Sequence, residues 1–187
     1  PYYPRDVKES NLAAAKQQSA FSFREMDLRN GADVHALMAE GFDVVAHIAA
    51  RGGVRPSLDN PQLYQSLNVD ATMNVLEGMR KNGLTKLVFA STSAVYGNNP
   101  KVPFSEDDNV DRPISPYAAT KKACELMAHT FHHLFGLQVF CLRFFTVYGP
   151  RQRPDMAIAK FVQAALLGKT IQRYGDGSTA RDYTFVD

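Results

Sequence analysis

Apolar and polar positions alternate along this chain in two periods, one suited to strands and one to helices. Residues 7–16 fit a helix, and Phe21-Ser22-Phe23-Arg24-Glu25-Met26 alternates as a short strand ending at Asp27. Residues 33–39 fit a short helix. The run 42–48 (Phe-Asp-Val-Val-Ala-His-Ile) has the length of a buried parallel strand, and a loop at 51–57 follows it. A long helix is predicted over 61–81, stopped by Asn82-Gly83, and a second buried strand over 86–91. A loop rich in Pro and Asp, 98–115, leads to a helix over 116–135. Strand 139–145, helix 155–167 and short strands at 171–174 and 183–186 complete the chain.

The helix over 116–135 has the clearest ends. Ser115 can cap it, Pro116 suits its first position, and Gly136 suits its stop. Ala123, Leu126, Met127, Thr130, Phe131 and Leu134 recur at three- and four-residue steps and predict its buried stripe. Strand–helix alternation with short connections predicts an α/β fold with a doubly wound, mostly parallel sheet and helices on both faces. Ligands bind such sheets beyond the carboxyl ends of the strands. That rule selects Asp27, Ala49-Ala50-Arg51, Ser91-Thr92-Ser93 and Thr146 as one rim.

Composition narrows the class. The 187 residues are 45% hydrophobic and 21% charged, with a net charge of +2 and no basic run, so nucleic acid is not an expected partner. No apolar stretch approaches the roughly 18 residues of a membrane span. The N-terminus lacks a signal-peptide pattern. Cys124 and Cys141 fall in a predicted helix and strand and read as small core residues of a reduced, cytoplasmic protein.

Candidate chemistry centres on Tyr117 and Lys121, one helical turn apart on one face. A free phenol titrates near roughly 10, and a neighbouring ammonium favours the phenolate, moving the tyrosine toward service as a base. By itself such a pair also describes an ordinary helix surface. A nucleotide-binding sheet should open with a strand, a glycine-rich turn and a helix N-terminus, and no such unit occurs here. Gly175-Asp176-Gly177-Ser178-Thr179-Ala180 matches a relaxed glycine pattern, but a strand-like stretch follows it, so it reads as a turn. The first unit of the fold is therefore expected upstream of Pro1. With the chain ending as it enters an element, the sequence reads as the middle of a larger protein.

These residues together resemble the extended short-chain dehydrogenase/reductase family and, within it, the nucleotide-sugar epimerases. The resemblance rests on segments in the family's order: His47-Ile48-Ala49-Ala50, Asn68 to Leu76, Phe89-Ala90-Ser91-Thr92-Ser93-Ala94-Val95-Tyr96-Gly97, Tyr117 with Lys121, and Leu142-Arg143-Phe144-Phe145-Thr146-Val147-Tyr148-Gly149-Pro150. It implies a partial NAD-binding, Rossmann-like domain over 1–145 and the start of a substrate-binding region over 146–187. It implies NAD as cofactor and a nucleotide sugar as substrate. Tyr117 is then the base, Lys121 holds the cofactor ribose and lowers the tyrosine pKa, and Thr92 hydrogen-bonds the reacting oxygen. Asp27, Ala49, Ala50, Arg51 and Asn68 line the cofactor, and Thr146, Arg153, Arg181, Arg55 and Ser57 the substrate.

Sugar dehydratases of the family carry an Asp-Glu pair after the threonine, and the related decarboxylases usually keep the glutamate. Here Ser93 and Ala94 stand there, which implies C4 epimerisation. The run from Thr146 to Ala157 resembles the branch acting on UDP-glucuronate, where an arginine fork suits a carboxylate. Arg151-Gln152 departs from that branch's frequent Trp-Gly, which leaves UDP-glucose and UDP-N-acetylhexosamines open. The resemblance also implies a homodimer pairing helices 61–81 and 116–135. Alternatives are a non-catalytic fragment unable to retain NAD, or another nucleotide-sugar oxidoreductase or dehydratase of the family, including a simple oxidoreductase releasing NADH. No metal is expected: His129, His132 and His133 share a solvated helix face.

Overall fold

The computed structural model describes residues 4–173, 175–177 and 180–187. In chain order the elements are α1 (Arg5–Lys16), α2 (Gly31–Met38), β1 (Val45–His47), α3 (Val54–Asp59) and α4 (Pro61–Tyr64). A π-helical turn (Gln65–Asp70) joins α4 to α5 (Ala71–Lys81), followed by β2 (Lys86–Ala90) and a 3-10 turn (Ser93–Tyr96). Then come α6 (Pro116–Phe135), β3 (Gln138–Leu142), β4 (Thr146–Tyr148), α7 (Ala157–Leu166) and β5 (Tyr183–Phe185). They form two compact units, Met26–Phe144 and, separately, Pro1–Glu25 with Phe145–Asp187. The second unit joins the two ends of the chain, which the sequence division at 145/146 keeps apart.

In the larger unit β1, β2 and β3 form a parallel sheet in that order, linked through helices as a Rossmann-like sheet requires. Val45, Leu87 and Val139 stand level, as do His47, Phe89 and Cys141. Leu87 and Phe89 join Leu76 and Met79 of α5 and Cys124 and Phe131 of α6 in one buried cluster, which also takes Val34 and Met38 from α2. On the opposite face Phe140 stays 65% exposed and Ile48 69%. In the smaller unit β4 and β5 pair in parallel, Thr146 beside Tyr183.

Local signals set the helix ends well. Ser115 Oγ accepts from the Ala118 N–H at 3.1 Å, Pro116 opens α6, and Gly136 closes it in the left-handed conformation. Asn30 caps α2, accepting from the Ala32 N–H, so that helix starts two residues before the predicted 33.

Strand predictions fared differently. Residues 21–26 form no strand, and Phe21 and Phe23 are exposed; no neighbouring strand among the described residues satisfies their backbone. The run 42–48 pairs only over Val45–His47, with Phe42, Val44 and Ile48 exposed, because β1 has β2 on one side only. Strand 139–145 ends at Leu142, and Thr146 starts a separate strand. Residues 171–173 are irregular, while Tyr174, Ser178 and Thr179, within the predicted strand and turn, lie outside the described residues. The predicted loop 51–57 instead folds into α3 from Val54.

Two burial expectations are also corrected. The buried face of α6 carries Ala118, Lys121, Cys124, Glu125, Ala128 and Phe131, whereas Leu126, Thr130 and Leu134 are exposed. Cys141 is exposed on β3, at the edge of the sheet, and is not a core residue.

Candidate active site

The carboxyl end of β2 builds the rim. Past the strand, the Ser91 N–H donates to Leu142 O and the Ser93 N–H to Phe144 O, each at 2.8 Å. Thr92, between them, is nearly buried and caps the 3-10 turn, its Oγ1 accepting from the Ala94 N–H at 3.2 Å. A hydroxyl that accepts there still has its proton to donate. Gly97 leaves the turn at φ 59°, and a Cβ there would stand 2.6 Å from Arg112 O, so only glycine lets the following loop close against the turn.

The 3-10 turn packs on α6. From that helix Lys121 reaches back to β2: it is 3% exposed, and its Nζ donates to Ala90 O at 2.6 Å and lies 4.7 Å from the Phe89 ring centroid. Burial pushes the Lys121 ammonium below the ordinary lysine range. Carbonyl and ring supply the compensation that a buried cation needs. Tyr117, one turn earlier on the same helix, is half-buried, its ring edge-on to Tyr64 at 6.2 Å. The Tyr64 hydroxyl in turn donates to Gly52 O at 2.7 Å.

Asn68 ties three segments together from within the π-helical turn. Its Oδ1 accepts from the Arg51 N–H at 2.7 Å, and its Nδ2 donates to Arg51 O and to Thr120 Oγ1, at 3.2 and 3.1 Å. The side-chain amide thus acts as a one-residue strand partner for the end of the β1 rim and anchors it to α6. Such turns interrupt helices at functional sites more often than elsewhere. His47 lies below, bonded to Thr72 Oγ1 at 3.0 Å. Burial, and then the charge of Lys121, push its pKa down to about 4, so it is neutral at pH 7 and adds no second cation.

The other sequence candidates are placed as follows. Ala49 and Ala50 are exposed directly after β1. Asp27 is exposed and held bidentate by Arg29, whose hydrogen bonds bring its carboxyl down to about 2. Arg55 is exposed on α3, but Ser57 is fully buried and donates its hydroxyl to Val54 O at 2.5 Å. Thr146, Arg153 and Arg181 belong to the smaller unit. There Thr146 opens β4, Arg153 grips Asp155 at 2.6 and 3.0 Å, and Arg181 donates to Ala180 O.

One group of residues was not anticipated. Glu125, buried on α6, accepts from Ser91 Oγ at 2.5 Å and from both Nε and the terminal nitrogen of Arg143, at 3.1 and 3.0 Å. The hydrogen bonds that Arg143 donates to Glu125 raise the Arg143 pKa further. Glu125 sits four residues after Lys121, a spacing visible in sequence, but its partners lie on other elements and carry no local signal.

Comparison with known proteins fits this geometry. The family model described as "NAD dependent epimerase/dehydratase family" matches residues 4–187. A UDP-glucuronate 4-epimerase of Thermodesulfobacterium geofontis is 45% identical over 187 residues, covering 99% of this chain and 57% of that protein. The solved UDP-glucuronic acid 4-epimerase of Bacillus cereus, in complex with UDP-glucuronic acid and NAD, superposes with a TM-score of 0.90 at 38% identity, over 97% of this chain and 57% of that one. DesIV of Streptomyces venezuelae, a dTDP-glucose 4,6-dehydratase, gives 0.89 at 30% identity, over 99% and 56%. The chain thus spans little more than half the length of these relatives. With a match over nearly every residue and the rim of β2 and α6 in place, the chain belongs to the NAD-dependent epimerase/dehydratase family.

Proposed function

We propose that this chain carries the catalytic centre of a C4 epimerase of UDP-sugars, with UDP-glucuronate as the favoured substrate. The observation that carries the reading is the joining of β2 to α6: Lys121 is bonded to Ala90 O, two residues before Thr92, on the helix that presents Tyr117. Ser91 gives its hydroxyl to Glu125, and the register of the family resemblance favours Thr92 over Ser93 as the hydroxyl for substrate. Ser93 and Ala94 hold no acid for dehydration. The B. cereus relative, solved with UDP-glucuronic acid and NAD, supports both ligands.

The residues present fit the ribose and nicotinamide end of NAD: a buried ammonium at the rim, small exposed residues after β1, and a backbone at Arg51 fixed by Asn68. Asp27 is assigned to the adenine end by the family resemblance alone. When bound, NAD supplies the hydride acceptor and donor. Tyr117, as phenolate, takes the proton of the C4 hydroxyl and gives it back after the keto sugar has turned over. Lys121 favours the phenolate, and Thr92 donates a hydrogen bond to the reacting oxygen. In this reading Arg153 and Thr146 hold the sugar carboxylate, Arg181 the diphosphate and Arg55 the sugar end, whereas the buried Ser57, bonded to Val54 O, does not reach substrate. Exposed Leu126 and Leu134 on α6 support pairing of two copies across that helix, which sedimentation would test.

The test is to supply the purified chain with NAD and UDP-glucuronate and to separate C4-inverted product by chromatography. Tyr117→Phe is the control. No product from UDP-glucuronate or UDP-glucose, or undiminished turnover in Tyr117→Phe, refutes the reading.

A further inference from the structure

The Glu125 ion pair is set apart from the sheet–helix core by what it joins. A carboxylate and a guanidinium taken from water cost free energy that pairing recovers only with good geometry, so a buried pair is weak evidence of a stabilising role. Here the geometry is bidentate and Glu125 takes a third bond from Ser91, the residue before Thr92. Arg143 is placed between the two carbonyls, of Leu142 and Phe144, that hold the Ser91 and Ser93 amides. Its other terminal nitrogen meets Tyr96 Oη and Glu106 O, each at 3.3 Å, and its guanidinium lies 5.1 Å from the Tyr96 ring centroid. Tyr96, at the far end of the 3-10 turn, stacks on Phe104. The segment 91–96 is therefore gripped at its start by Glu125, at its end by Arg143, and along its backbone by the chain after β3.

From this we infer that Ser91, Glu125 and Arg143 are positioning residues that fix the Thr92 segment against α6, and so set the Thr92 hydroxyl relative to Tyr117 and Lys121. Its catalytic consequence rests on the function proposed above; its structural content does not. Glu125 lies one turn beyond Lys121 on α6, so the helix that carries base and lysine also carries the anchor for the third group. A hydroxyl displaced by even an ångström from its reacting oxygen loses much of its catalytic effect.

Ser91→Ala is the test, since it removes one hydroxyl and leaves the Glu125–Arg143 pair in place. Hydrogen exchange read by mass spectrometry or NMR should show the Ser93 and Ala94 amides exchanging about tenfold faster, with amides near Ala128 changed less than about twofold. Ser91→Thr, which keeps the hydroxyl, should restore the wild-type pattern. In turnover with UDP-glucuronate, Ser91→Ala should lower kcat about tenfold and leave KM within about twofold. Uniform acceleration at all amides, no local acceleration, or failure of Ser91→Thr to rescue overturns the inference. If the wild type shows no turnover, the proposed function fails while the exchange comparison still decides the positioning role.

Discussion

Acidification should destabilise this fold earlier than its carboxylates account for, and His47 is the cause. The ring is 5% exposed, bonded to Thr72 Oγ1, 5.7 Å from the Phe89 ring and within the field of Lys121. Its pKa falls from 6.5 to about 4 on folding. Between those values the unfolded chain binds a proton that the native chain refuses, so stability rises with pH through this window. The contribution is complete above about 6.5, is lost as pH falls toward about 4, and changes no further below it. At roughly 1.4 kcal/mol per pH unit, the full window is worth about 3 kcal/mol, most of which falls between pH 7.5 and 4.5. Against a typical domain stability of roughly 5–15 kcal/mol this is a large share. Depressed carboxylates such as Asp27, at about 2, act lower, as pH falls below their unfolded values. Urea unfolding at half-unit steps from pH 7.5 to 4.5 would measure the loss in wild type and in His47→Gln, which keeps a partner for Thr72 but does not titrate. Wild type should lose about 2–3 kcal/mol more than the variant over this range. Parallel curves would refute the reasoning.

Three further outcomes are expected. Asn68→Ala removes the bonds to the Arg51 amide and carbonyl and the bond to the Thr120 hydroxyl, and should cost about 3 kcal/mol in urea unfolding, with faster exchange at the Arg51 amide. Phe89→Ala empties a site that is 1% exposed and removes the ring beside Lys121; calorimetry should show a loss of about 3–5 kcal/mol. Lys121→Met should abolish the proposed epimerisation while holding stability within about 1 kcal/mol of wild type. The buried ammonium it removes was costly to desolvate, which offsets the lost bond to Ala90 O.

What the sequence by itself determined is local or ordered along the chain. Ser115, Pro116 and Gly136 delimit α6 because capping and backbone conformation depend on neighbours a few residues away. That Ala49 and Thr92 closely follow strand ends and that Tyr117 opens α6 was legible because apolar runs and caps mark those limits locally. Tertiary structure decided the rest. The buried face of α6 runs through Lys121 and Glu125 and past Leu126, since burial of a charge depends on partners such as Ala90 O and Arg143 that no helical periodicity encodes. Residues 21–26 and most of 42–48 have strand-like patterns without strand structure, because a strand exists only where another backbone takes its hydrogen bonds. Asn68 and Ser91 look alike in sequence, as small polar residues among apolar ones. Only the packing of β1, β2 and β3 against α6 makes one the tie for Arg51 and the other the grip on Thr92, because each role is set by contacts between residues far apart in the chain.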